Sequence, residues 1–137
     1  MAITINAAAQ DLGGDAIVGT LPTGTLRIYS AASAPANAKG VEGTAIAEGT
    51  TSAFGSHSGD AGADMSATTE LTGLAAAGSG TDADHFRFLG EGATGTVVQG
   101  TVTGTGGGGD LELDNINIAE NQAVNVTAYN FTLPDGT

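Results

Sequence analysis

The sequence predicts a mainly β domain: an antiparallel β-sandwich or small barrel-like fold with long Gly/Ala/Ser-rich loops or arms and at most one short N-terminal helix. Three observations lead there. The last third of the chain carries short alternating apolar segments at the regular spacing of an all-β domain. Larger apolar residues crowd the two ends, with ten in residues 1–29 and fifteen in 85–137 against six in 30–84. Gly and Ala together fill 47 of the 137 positions, leaving only 31 Val, Ile, Leu, Met, Phe and Tyr for a core. The length allows one domain, 1–137, with 30–84 as a poorly cored, loop- or arm-like segment.

From the start, Ile3-Thr4-Ile5 alternates, and Asn6 is placed to cap a weak helix through Ala7 to Leu12. Gly13-Gly14 argues against extending it, since each interior Gly costs about 1 kcal/mol, although Asp15 to Val18 adds a turn where tertiary contacts hold it. Leu21-Pro22-Thr23-Gly24 punctuates. Thr25 to Tyr29 reads as a strand with Leu26 and Ile28 on one face and Arg27 and Tyr29 on the other. Residues 30–43 read as a long surface connection, and Ala45 to Glu48 as a short edge strand. From Gly49 to Asp84 the chain is mostly Gly, Ala, Ser, Thr and Asp, which a monomeric core would hardly order.

The C-terminal third is the strand-rich part. His85-Phe86-Arg87-Phe88 puts two aromatics on one face, and Thr96 to Thr103 is rich in β-branched residues with Val98 and Val102 in phase. Leu111-Glu112-Leu113 and Ile116-Asn117-Ile118 alternate. Gly106 to Gly109 reads as a hairpin tip. Val124, Val126 and Ala128 share one parity and Tyr129, Phe131 and Leu133 the other, as a β-bulge near Ala128 produces. Pro134 ends the run.

Composition limits function. Three basic residues, Arg27, Lys39 and Arg87, face fifteen acidic ones for a net charge of −12, so nucleic acid and anionic membrane surfaces are not expected partners. Neutral or basic protein surfaces are. The chain has no Cys, hence no disulfide, thiolate metal site or cysteine nucleophile. The N-terminus has neither a positive n-region nor an apolar h-region, and no apolar run reaches the ~18 residues of a membrane span, so a soluble product made in the cytosol is expected.

The chemistry-bearing residues each have a plain structural reading. Asp60, Asp64, Glu70, Asp82 and Asp84 are oxygen donors for a hard cation in principle, with Asp82-x-Asp84 beside His85 the nearest to a cluster, but they fit no EF-hand loop and read as a solvated face. His57 and His85 lie in no zinc-binding spacing, and no nucleophile elbow supports a Ser/His/Asp triad. The glycine run before Asp110 occurs once, without the reiteration of calcium-binding repeats. Phe86, Phe88, Tyr129 and Phe131 read as core, and no Trp offers a sugar-stacking face. Asn125-Val126-Thr127 and Asn130-Phe131-Thr132 are glycosylation sequons in form only. No catalytic, cofactor or metal residues are assigned, and the chain reads as a non-enzyme.

Two stretches carry a resemblance. Ile3 to Ala9 followed by Gly24 to Tyr29, and His85 to Leu89 through Asp110 to Leu113 and on to Tyr129 to Leu133, resemble small virion structural proteins of tailed bacteriophages, in particular siphovirus-type capsid decoration, or cement, proteins. The stretches cover a little under half of the chain. The middle departs by being richer in Gly and Asp, and Gly13-Gly14 interrupts a place where relatives look more helical. The resemblance implies a protein of the outer capsid surface that binds the major capsid protein and bridges its subunits, commonly as a homotrimer, without cofactor, nucleic acid or membrane. An acidic, thinly cored chain that borrows buried surface from an assembly agrees with this. The alternatives are a phage tail, head-completion or fibre component, or a carbohydrate-binding or adhesive surface module.

Overall fold

The computed structural model describes residues 7–19, 24–31, 43–50, 63–64, 70–90 and 94–131. Among the described residues one α-helix, α1 (Ala7–Val18), precedes ten strands: β1 (Thr25–Ser30), β2 (Thr44–Thr50), β3 (Ala63–Asp64), β4 (Glu70–Gly73), β5 (Thr81–Asp82), β6 (His85–Gly90), β7 (Thr94–Gly104), β8 (Leu111–Leu113), β9 (Asn117–Ile118) and β10 (Ala123–Phe131), with a single 3-10 turn at Ala75–Ala77. The fold is mainly β, as the sequence predicts. Seven strands close into a barrel in the order β10-β4-β2-β1-β6-β7-β8, with β8 returning to β10. β3 pairs with the far end of β10, and β5 and β9 form a separate two-stranded ribbon.

Closure follows from the length and bulge of β10. Its first residues pair with β4 at Ala123 to Asn125, then Val126 to Tyr129 pair with β8, so one strand serves both edges of the sheet. The register shift between Val126 and Ala128 is the bulge predicted near Ala128; it turns Tyr129 to the same buried side as Val124 and Val126 and leaves Ala128 exposed. The barrel is filled by Leu26, Ile28, Ile46, Leu71, Phe86, Phe88, Val102, Leu111, Leu113, Val124 and Val126. Phe86, Phe88 and Tyr129 meet edge to face, with centroids 4.9–5.6 Å apart.

One reading left open resolves and three expectations need correction. The helix continues through Gly13-Gly14 to Val18, with Gly14 buried and the last turn closed by Gly19 N–H donating to Asp15 O at 2.9 Å. Residues 45–48 belong to an interior strand, because β2 has β1 on one side and β4 on the other and buries Ile46 and Ala47 completely. Within 30–84, β2 and β4 are barrel strands, and what looked like poor core material is a set of close approaches. A Cβ on Gly49 would stand 2.6 Å from Glu70 O, and one on Gly73 would overlap Ala119 O. The rest of that segment, with Phe54 and Met65, lies outside the described residues. Finally, Gly106 to Gly109 is not a hairpin tip: β8 runs parallel to β7, the single parallel pair among the described residues.

That parallel return is short, since such connections ordinarily take a dozen residues or more. Glycine makes it possible. Gly106 and Gly108 adopt positive φ of 80° and 76°, and Gly107 and Gly109 lie so close to the Thr103 side chain that any Cβ would stand 2.7–2.9 Å from it.

Candidate functional site

Alternation along β1 and β6 decides what reaches the outer wall. With Leu26, Ile28, Phe86 and Phe88 in the core, Arg27, Tyr29, His85 and Arg87 share the opposite side. Register places Arg27 opposite Arg87 and Tyr29 opposite His85, while Glu48 on β2 faces Arg27 and Gln99 on β7 faces Arg87. Glu48, Arg27, Arg87 and Gln99 therefore form one row across four strands.

Like charges directly opposite each other destabilise a sheet. Here Glu48 Oε2 accepts from Arg27 Nε at 3.1 Å and Nη2 at 2.9 Å, and Arg87 Nε donates to Gln99 Oε1 at 2.9 Å. The Arg87 guanidinium also lies 5.8 Å from the centre of the Tyr29 ring. Tyr29 stacks on His85 with centroids 5.0 Å apart and planes 8° from parallel, and His85 Nδ1 is 3.1 Å from Asp84 Oδ2. His85 is 0% exposed and Arg87 3%; His85 Nε2 has no hydrogen-bond partner among the described residues. An imidazole so enclosed offers neither nitrogen to a solute, so the ring acts as a plate in the wall.

The acidic candidates disperse. Asp82 accepts from Asn117 Nδ2 at 2.7 Å, Asp84 holds His85, and Glu70 is exposed on β4. Among the described residues no three His, Asp or Glu side chains come together as a metal site. His57 and Asp60 lie outside the described residues, as does the Asp64 side chain. Of the sequons, Asn125 gives its Nδ2 to Asp114 Oδ2 at 2.9 Å.

Three carboxylates stitch the β7–β8–β10 seam. Asp110 Oδ2 accepts from Thr101 N–H at 2.8 Å and Thr101 Oγ1 at 2.7 Å. Glu112 accepts the amides of Gly106 and Gly108 at 2.9 and 3.0 Å, which holds its carboxyl below the usual range. Asp114 is lowered as well, first by the Asn125 side-chain amide and also by the Asn125 backbone N–H. Burial, with Asp110 nearby, pushes the Tyr129 phenol up. Sequence reading missed both this seam and the arginine row. The outward parity of Arg27 and Arg87 was legible; the register that opposes them was not.

Beside the Arg27–Glu48 pair, Thr25, Glu48, Gly49, Thr50, Thr72 and Leu74 line an open groove of about 420 Å³ on the outer wall. Compared with protein families, curated proteins and solved structures, the chain matches none of them.

Proposed function

We propose that this chain is a structural protein of a tailed-bacteriophage virion, a decoration protein that binds the outer surface of the head and bridges capsid subunits as a homotrimer. It acts by binding energy, without catalysis. The observation that carries the reading is how the ionisable groups are used. Asp82, Asp84, Asp110, Glu112 and Asp114 each hold a neighbouring strand or loop, and His85 is sealed in the wall. Among the described residues these groups serve the frame, and the net charge of −12 is left to choose partners and to keep the protein away from packaged DNA. The segments that resemble virion proteins include the start of α1, β1, β6, β8 and the end of β10.

Light scattering of the purified protein, followed by counting copies bound per purified capsid, tests this. A compact trimer that binds in hundreds of copies supports it; a monomer that ignores capsids, or a handful of copies per particle, sinks it.

One observation favours a second reading. The groove beside Glu48 is lined by Thr25, Thr50 and Thr72 as well as Glu48, residue types that suit the hydroxyls of a neutral sugar. Binding to a glycan array that Thr72→Val abolishes would move the assignment to a carbohydrate-binding module.

A further inference from the structure

Threonine hydroxyls divide by their place in the fold. Thr81, Thr101 and Thr103 spend theirs on Ala77 O, Asp110 and the Gly109 amide, and Thr105 reaches both Leu113 O and the Thr127 hydroxyl. Thr25, Thr50 and Thr72, which line the groove of about 420 Å³ on the outer wall, make no side-chain hydrogen bond among the described residues. Glu48 is half-committed. Arg27 Nε and Nη2 both donate to its Oε2, at 3.1 and 2.9 Å, and among the described residues nothing donates to Oε1. The pair stays open to solvent, with the Arg27 side chain 27% and the Glu48 side chain 41% exposed. Register then fixes the array: Thr25 stands opposite Thr50, Glu48 opposite Thr72, and Glu48 and Thr50 lie two apart on β2, so all four share the outer face. Steps of about 5 Å across strands and about 7 Å along β2 separate them.

Charge selects the class of ligand. A cation entering the groove meets the Arg27 guanidinium nearby, an anion meets the Glu48 carboxylate, and a neutral polyol meets neither penalty. Sugar hydroxyls can donate to Glu48 Oε1 and exchange hydrogen bonds with the threonines, while half-buried Leu74 offers an apolar surface to a C–H face. We propose that this groove binds uncharged glycans, with Glu48 Oε1 as the central acceptor and Thr25, Thr50 and Thr72 as flanking hydroxyls. Arg27 is the positioning residue: it orients the carboxylate and cancels its charge. This deepens the carbohydrate reading above and rests on it, not on the capsid reading. No aromatic ring lines the groove, so a Kd of about 1 mM is expected.

The test follows backbone amide shifts of the full chain by NMR during titration with short oligosaccharides. Maltotriose, mannotriose and lactose are the neutral probes, a glucosamine trimer the cationic one and sialyllactose the anionic one. A neutral probe should shift the amides of Gly49, Thr50 and Thr72 and leave β8 unmoved, and the charged probes should bind at least about fivefold more weakly. Glu48→Gln should weaken binding at least about tenfold. Thr50→Val, at an exposed position, should weaken it about threefold to tenfold with the melting temperature unchanged. Arg27→Gln releases the Glu48 charge, so preference should pass to the glucosamine trimer. If no probe binds wild type, the site and the carbohydrate reading fall together. If a probe binds but Glu48→Gln and Thr50→Val bind it equally well, or its shifts fall away from the groove, this site is overturned while the carbohydrate reading stands. An Arg27→Gln protein that keeps the neutral preference overturns the role given to Arg27.

Discussion

Gly100 faces Phe86 across the β6–β7 ladder, and the aromatic ring occupies the space that a side chain at 100 would need. A Cβ placed there would stand 2.7 Å from Phe86 Cε1 and 2.9 Å from both Phe86 Cζ and Asp110 Cβ. Carbon atoms rest about 3.5–4.0 Å apart, so Gly100→Ala asks the ring to retreat by roughly 1 Å. Phe88 at 5.4 Å and Tyr129 at 5.6 Å, centroid to centroid, stand behind it, and Asp110 is tied to Thr101. Overpacking of this kind costs about 1–3 kcal/mol, partly offset by roughly 0.5–1 kcal/mol from replacing a flexible glycine. A net loss of about 1.3 kcal/mol is expected, which for a chain of this size lowers the melting temperature by about 5 °C. Phe86→Leu removes the obstructing ring atoms, so in that background the alanine should be close to neutral, a coupling of about 1 kcal/mol. Urea unfolding followed by far-UV circular dichroism measures all four corners of this cycle. Costs that add within about 0.5 kcal/mol, or a neutral Gly100→Ala, would refute the claim that the ring fills the glycine's place.

Three further outcomes are expected. Glu112 and Asp114 have folded-state values below their ordinary 4.5 and 3.8, so the stability they provide is complete above those values and is lost as pH falls through the lower folded ones. Glu112→Gln should therefore lower the melting temperature at pH 7 and approach wild type toward pH 3, in a thermal series across that window. Asp110→Ala should speed amide exchange at Thr101, whose N–H loses its acceptor, while leaving the amides of β1 protected, as hydrogen-exchange NMR would show. His85→Phe keeps the plate stacked on Tyr29 and removes the orphaned Nε2, so it should stay within about 1 kcal/mol of wild type, whereas His85→Ala opens the wall and should cost at least about 2 kcal/mol. Equal losses for the two in urea unfolding would show that the ring's polarity, and not its volume, matters.

The strands were legible wherever alternation carried them. Leu26 and Ile28, Phe86 and Phe88, Leu111 and Leu113, and a bulge near Ala128 were each readable because a strand has a period of two and a bulge resets it, although Ala128 itself falls on the exposed side. What escaped was packing by absence. Gly49 and Gly73 read as loop residues, yet they let β2 and β4 lie against Glu70 and Ala119, and a missing side chain leaves no periodic mark. Gly13-Gly14 misled for the same reason, since propensity is a local term and Gly14 is buried by tertiary contact.

The parallel return of β8 shows why the polar seam was less legible than the core. Four glycines between two apolar alternations predict a hairpin on local grounds, and only the side chains around them decide otherwise. Glu112 collects the amides of Gly106 and Gly108, Thr103 Oγ1 accepts the Gly109 amide at 2.9 Å, and Asp110 reaches back to Thr101. Each of these bonds joins residues between four and nine positions apart, so the partners were present in the sequence, but hydrogen bonding carries no periodicity to reveal them. The same holds for Arg27 and Arg87, sixty residues apart in the chain and opposed only through register. In a barrel this poor in large apolar residues, placing acids on amides and guanidinium groups does part of the specifying that bulkier cores leave to shape. A cost follows, because carboxylates used this way must stay ionised, and acid should loosen the β7–β8–β10 seam before it reaches the apolar interior.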